Sequence, residues 1–216
     1  MKKSLDKSKP IPKSKIKNII FDLGNTLIFF DHSYFFDGLA NIEKGLNANK
    51  VKKFISEKKL DIKFNTGRIS GKEFFKAVKK KFSIRTSYAD FTFLYSDVFW
   101  ENKPMIKLLE NLIDEGRYKV FLLSNTDASH FNFILKNFPS INLIKNKVLS
   151  YKTNCMKPDR KIYKGMMERF NMNPEQSVFI DDVKTHLAAA AKLKFNTIHY
   201  TTHKSFLKKF NQLLKQ

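Results

Sequence analysis

A chain of 216 residues, 42% hydrophobic and with 22 phenylalanines, can bury one good core with room for a modest insertion, which excludes an intrinsically disordered chain. One cysteine, Cys155, excludes an internal disulfide framework and suits a reducing cytoplasm, and no apolar run reaches the roughly 18 residues of a membrane span. The net charge of +21 rests on 41 basic residues of which only five are arginine. It therefore reads as lysine-rich compositional drift sooner than as a reader of bases or an anionic membrane surface, although a positive field still draws in phosphorylated substrates.

In chain order, residues 1–17 hold seven lysines and no apolar h-region, so the stretch is no secretory signal and reads as a basic, disordered arm over 1–16. Residues 16–22, through Ile19-Ile20-Phe21-Asp22, read as a buried parallel strand, because short apolar runs without alternation belong to sheets covered on both faces. Asp22 at its C-terminal end falls in the crevice where open α/β sheets bind ligands. Gly24 is expected to turn the backbone sharply and to leave room for a ligand. From about 33 to 102 only helical periodicity is present: Tyr34, Phe35, Leu39 and Ile42; then Val51, Phe54 and Ile55. Next come a helix from Gly71 capped by Ser70 with Glu73, striped by Phe74, Phe75, Val78 and Phe82, and a helix from Tyr88 to Trp100. This predicts a helical bundle inserted over 31–102 between two parts of one core, 17–30 and 103–216.

From Pro104 an α/β rhythm begins. Pro104 fits a first helical turn, Ile106, Leu108, Leu109, Leu112 and Ile113 form the stripe, and Gly116 closes the helix. Strands are expected at Tyr118–Leu123, within 143–149, at Ser177–Ile180 and at Asn196–Tyr200. Helices are expected near 128–137, 159–170 and 185–194, and around Phe206, Phe210 and Leu213.

Three predicted strands thus end at Asp22, at Ser124 and at Asp181-Asp182, with Lys157 opening a helix between the last two. In a parallel sheet those ends share one edge. Singly each is ordinary: Ser-Asn-Thr makes turns, a Lys before Pro is commonly solvated, and paired Asp residues cap helices. Together they supply what phosphoryl transfer through an enzyme carboxylate requires. These are a carboxylate nucleophile, oxygen ligands for a hard metal ion, hydroxyl and backbone donors, and a fixed cation.

Four segments carry a resemblance: Phe21-Asp22-Leu23-Gly24-Asn25-Thr26-Leu27, Leu123-Ser124-Asn125-Thr126, Lys157-Pro158-Asp159 and Phe179-Ile180-Asp181-Asp182. In this order they resemble the haloacid dehalogenase-like hydrolase superfamily, over about Lys17 to Tyr200, and the helical insert is similar to that family's C1 cap. Asp-Leu-Gly-Asn, Thr66-Gly67-Arg68-Ile69-Ser70, and Ser124-Asn125-Thr126 followed by His130 are most similar to its glucose-1-phosphatase-like members.

The resemblance implies a Rossmann-like, three-layer α/β core and a cytoplasmic, Mg²⁺-dependent phosphatase. Asp22 would form an aspartyl-phosphate, and Ser124 and Lys157 would hold the phosphate with Asn125 as an added donor. Mg²⁺ would sit on Asp22, the Gly24 carbonyl and Asp181, with Asp182 direct or through water. The implied substrate is a small phosphorylated metabolite, a sugar phosphate among the candidates, and the implied assembly a monomer or homodimer; no specific nucleic-acid or membrane partner is expected.

Two positions depart from the pattern. Most family phosphatases carry an acid–base Asp where this chain has Gly24, with Asp31 or His32 the nearby groups able to substitute. Relatives usually carry Asn where this chain has His186. A protein of reduced catalysis that works by binding is the alternative these departures allow, and a Lys-arm binder of nucleic acid or anionic surfaces is a third reading.

Overall fold

A computed structural model describes residues 16–215. The expected basic arm, Ile16 excepted, lies outside the described residues. The chain opens with β1 (Asn18–Phe21) and β2 (Ile28–Phe30), then passes through α1 (Ser33–Ile42), α2 (Ala48–Glu57), α3 (Leu60–Asn65), α4 (Gly71–Phe82) and α5 (Tyr88–Ser96). It returns through β3 (Phe99–Glu101), α6 (Lys103–Glu115), β4 (Lys119–Ser124) and α7 (Ala128–Asn137). It finishes with β5 (Asn146–Leu149), α8 (Ser150–Thr153), α9 (Arg160–Phe170), β6 (Ser177–Asp181), α10 (Lys184–Ala191), β7 (Asn196–His199) and α11 (His203–Leu214).

Five strands form a parallel sheet in the order β5-β4-β1-β6-β7, with β1 at its centre. Successive side chains of a strand leave on opposite faces, and both faces here are apolar. Ile19, Phe21, Val120, Leu122, Val178 and Ile180 join one cluster with Met105 and Leu109 of α6, Phe131 and Ile134 of α7, and Phe206 and Phe210 of α11. Ile20, Phe121, Leu123 and Phe179 join the other, with Ile162, Tyr163 and Met166 of α9 and Leu187 and Ala190 of α10. That is the three-layer α/β core, and burial on both faces explains why its strands read as continuous apolar runs.

The helices between β2 and β3 pack on one another. Phe35, Leu39, Val51, Ile55, Phe64, Phe74, Val78 and Phe91 form a third cluster separate from both sheet faces. Ser70 Oγ accepts from Glu73 N at 3.3 Å while Ser70 N donates to Glu73 Oε2 at 2.7 Å, the reciprocal cap expected at the start of α4. Gly116 closes α6 at φ 62, as its position predicts.

One expectation fails. The helix expected from Tyr88 to Trp100 stops at Ser96, and Phe99–Glu101 forms a strand that pairs antiparallel with Ile28–Phe30. Aromatic residues fit both periods in so short a stretch; pairing with Phe29 and Phe30 across the chain decides the matter. The resulting two-stranded ribbon carries both crossings between the sheet and the helical layer.

Candidate active site

Register places the key carboxylates side by side. Phe21 of β1 is level with Leu122 of β4 and Ile180 of β6, and Asp22 N donates to Ile180 O at 2.8 Å. Asp22 therefore leaves the sheet beside Asp181, and Ser124 ends the neighbouring strand on the other side. Lys157 reaches this edge from the loop before α9. Its Nζ donates to Asp22 Oδ1 at 2.6 Å and to Asp181 Oδ2 at 2.7 Å. All three are buried, the lysine to 1% exposure.

An ammonium group loses most of its hydration at such a site, and only paired carboxylates make that tolerable. Burial opposes the Lys157 charge, but Asp22 and Asp181 more than offset it and hold the group above its usual range. Asp22 is pushed up to about 7, by burial first and by the neighbouring Asp181, with Lys157 pulling the other way. For Asp181 burial also opposes ionisation, yet Lys157 and His186 together bring it below the ordinary value. Asp182 is raised by burial and by Asp181. Three carboxyl groups facing one lysine form a cluster short of positive charge.

Oxygens of Asp22, Asp181 and Asp182 lie within 4.8 Å of one another, an all-oxygen donor set that fits a small hard cation. The fit is chemical as well as spatial, since a divalent ion supplies the charge that would let Asp22 ionise fully.

Several supporting residues have roles that the sequence did not mark. Asn125 was expected to face the phosphate; it exchanges two bonds with the Lys157 backbone, Nδ2 to O at 2.9 Å and Lys157 N to its Oδ1 at 2.8 Å. One amide hydrogen of Asn125 is left for a ligand. His186, the departure from the family's usual Asn, turns Nδ1 onto Asp181 at 3.1 and 3.2 Å, while Val183 N donates to Asp181 Oδ1 at 2.8 Å. Imidazole thus does for Asp181 what an amide would do. His199 Nε2 donates to the carbonyl of Asp182 at 2.8 Å, and the Asn25 side chain bonds the Asp182 carboxyl. No motif announced His199, and Asn25, although inside the first segment, had no role assigned there, because both act across the sheet edge.

Gly24 corrects a second expectation. The left-handed residue of this turn is Asn25, at φ 51, and the space beside Gly24 is not open. A Cβ placed on Gly24 would stand 2.8 Å from Cε1 of Phe30.

A cavity of about 580 Å³ adjoins this edge. Its lining includes Leu23, Gly24 and Ser124–Thr126 from the sheet side, and His32, Lys52, Asp61 and Phe74 from the helical layer. Beside it, Tyr95 of α5 donates its hydroxyl to Asp127 Oδ2 at 3.0 Å, and His130 Nδ1 meets the same oxygen at 2.9 Å. His130 Nε2 lies 2.8 Å from the Tyr95 carbonyl, and the two rings stack at 4.1 Å. This buried group joins the helical layer to α7. The signal that could have found it is an Asp at the cap position of a predicted helix with His three residues on.

Comparison with known proteins agrees with the fold. A HAD family enzyme from Bacteroides thetaiotaomicron is 25% identical, with a TM-score of 0.80 over 90% of this chain and 98% of its own. A wild-type structure of that enzyme, solved in complex with magnesium and inorganic phosphate, matches at 24% identity and TM-score 0.78, covering 90% of this chain and 99% of its own. A predicted HAD-like hydrolase from Porphyromonas gingivalis shares the fold at 22% identity and TM-score 0.80, over 94% and 100% of the two chains. The haloacid dehalogenase-like hydrolase family matches residues 16–194, and the chain belongs to that family.

Proposed function

We propose that this protein is a Mg²⁺-dependent phosphatase acting on a small phosphorylated metabolite through an aspartyl-phosphate on Asp22, with the helices of 31–102 serving as its cap. The observation that carries the reading is the buried Lys157 ammonium held between Asp22 and Asp181, with Asp182 completing the acidic cluster. The Bacteroides enzyme, a fold relative solved in complex with magnesium and inorganic phosphate, supports it.

In this reading an oxygen of Asp22 attacks phosphorus in line, the ester oxygen departs, and water then releases phosphate from the carboxylate. Ser124 and Lys157 bind the phosphoryl oxygens. Asn125 positions Lys157 and has one amide hydrogen to add. Asp22, Asp181, Asp182 and the carbonyl of Gly24 would hold Mg²⁺, whose chemistry is to neutralise charge between two anions. Gly24 provides no carboxyl for protonating a leaving group. Esters whose alcohol departs readily, such as the anomeric oxygen of a sugar 1-phosphate, are therefore the better substrates.

The test is phosphate release from a panel of sugar phosphates and nucleotides, with and without Mg²⁺. Turnover that needs the metal and disappears in Asp22→Asn supports the proposal. Full activity in that variant, correctly folded, would overturn it.

A further inference from the structure

Release of phosphate from an acyl-phosphate needs water made more nucleophilic, and a base that takes its proton is the usual means. At Gly24 the chain has none, and Phe30 fills the space where a side chain there would begin. The base has to come from elsewhere in the cavity. Most of the titratable groups around it are already engaged. Both ring nitrogens of His130 are bonded, to Asp127 and to the Tyr95 carbonyl. The Tyr95 hydroxyl is bonded to Asp127. Asp31 Oδ1 accepts from Ser33 N at 2.8 Å.

His32 differs. It occupies the cap position before α1, yet its side chain makes no capping bond. Among the described residues its imidazole has only ring contacts, tilted on Phe30 at 4.9 Å and stacked on His130 at 5.5 Å. The Phe30 it touches is the residue that closes the space at Gly24, and His32 lines the same cavity as Gly24 and Ser124. Lys52 and Asp61 line that cavity from α2 and α3.

We infer that His32 is the general base of the second half-reaction, taking over from a position outside the first motif the proton-handling that Gly24 cannot do. The inference rests on the phosphatase reading. Water oxygen bonds to phosphorus, the phosphorus–oxygen bond to Asp22 breaks, and the carboxylate leaves with that electron pair. The proton lost by water passes to a ring nitrogen of His32 and from there to solvent.

The electrostatics keep the ring in its uncharged form. Although His32 as a residue is exposed at the cavity mouth, lost hydration of its ring, then the neighbouring His130, push it down to about 4, with Lys52 adding in the same direction. Asp127 and Asp31 oppose this without reversing it. Asp61 also lines the cavity. At neutral pH the ring is therefore uncharged and able to accept, as a weaker base than an ordinary imidazole.

The test uses p-nitrophenyl phosphate, whose leaving group departs without protonation, so that losing a base slows only the water step. For His32→Ala we expect a burst of one p-nitrophenolate per enzyme, then steady turnover lowered about 10²-fold, partly restored by imidazole in the buffer. His32→Gln, which keeps a polar side chain of similar reach, should show the same burst and guards against a packing artefact; thermal melts of both verify folding. Wild-type steady turnover without a burst in either folded variant would overturn the inference, as would a loss with neither burst nor imidazole rescue. Wild type without Asp22-dependent turnover would overturn the phosphatase reading itself, an outcome visible before any His32 variant is compared.

Discussion

Asn125 and Lys157 hold each other: the Asn125 amide donates to the Lys157 carbonyl at 2.9 Å, and the Lys157 amide donates back at 2.8 Å. The pairing fixes the main chain from which the lysine extends to two carboxylates, so Asn125 acts on the site chiefly through Lys157. Asn125→Ala should lower kcat about 10–100-fold, the usual effect of losing a group that orients a ligating side chain. Stability should fall by only about 1–2 kcal/mol, since the bonds lost are neutral. Steady-state kinetics alongside a denaturant melt separates the two effects; unchanged kcat would show that Lys157 needs no such support.

Metal binding can be read without turnover. A cation held by Asp22, Asp181 and Asp182 binds the folded chain alone, and Mg²⁺ at about 100 times its dissociation constant adds about 2.7 kcal/mol. For a chain of this size that raises Tm by about 5–10 °C. Asp181→Asn should abolish the shift. An equal shift in that variant would place the ion elsewhere.

Gly24 and Phe30 are coupled by the 2.8 Å approach of Cε1 to the position a Cβ would take. Gly24→Ala should cost about 1–3 kcal/mol by overpacking, and Phe30→Leu in the same chain should recover most of it. A double-mutant cycle of chemical denaturation reads the coupling directly. Additive effects would mean that the ring yields freely.

The link between the helical layer and α7 should show in the acid limb of stability. Burial opposes ionisation of Asp127, but His130 and the Tyr95 hydroxyl outweigh it, so its carboxyl is held below the usual value of 3.8. A depressed carboxylate contributes stability that is complete above its unfolded-state value and is lost as pH falls through the folded one. Wild type should therefore exceed Asp127→Asn by about 1.5–3 kcal/mol at pH 5–7, with the gap closing only below about 3.8. A gap that instead closes on the alkaline side would contradict this assignment.

Much of the core was legible because β1, β4 and β6 are buried on both faces and so appear as unbroken apolar runs ending in polar residues. The Ser70–Glu73 cap and Gly116 were legible because capping chemistry is local. The ribbon of Ile28–Phe30 with Phe99–Glu101 was not, since two three-residue strands separated by the whole helical layer have no local period to read. The same holds within the site. The residues at strand ends could be named from spacing, whereas His199 on Asp182 and Phe30 on Gly24 act through contacts that only the folded chain makes.

The central claim is that Asp22 carries the phosphoryl group. Its most direct test is to quench wild type during turnover of a phosphate ester with Mg²⁺ and reduce with borohydride, which converts an aspartyl-phosphate to homoserine. Mass analysis of the peptide spanning residue 22 then reads the result. We predict homoserine at that position only when ester and Mg²⁺ are both present, and none in Asp22→Asn. Phosphate release by wild type with an unmodified Asp22 under every quench would contradict the account.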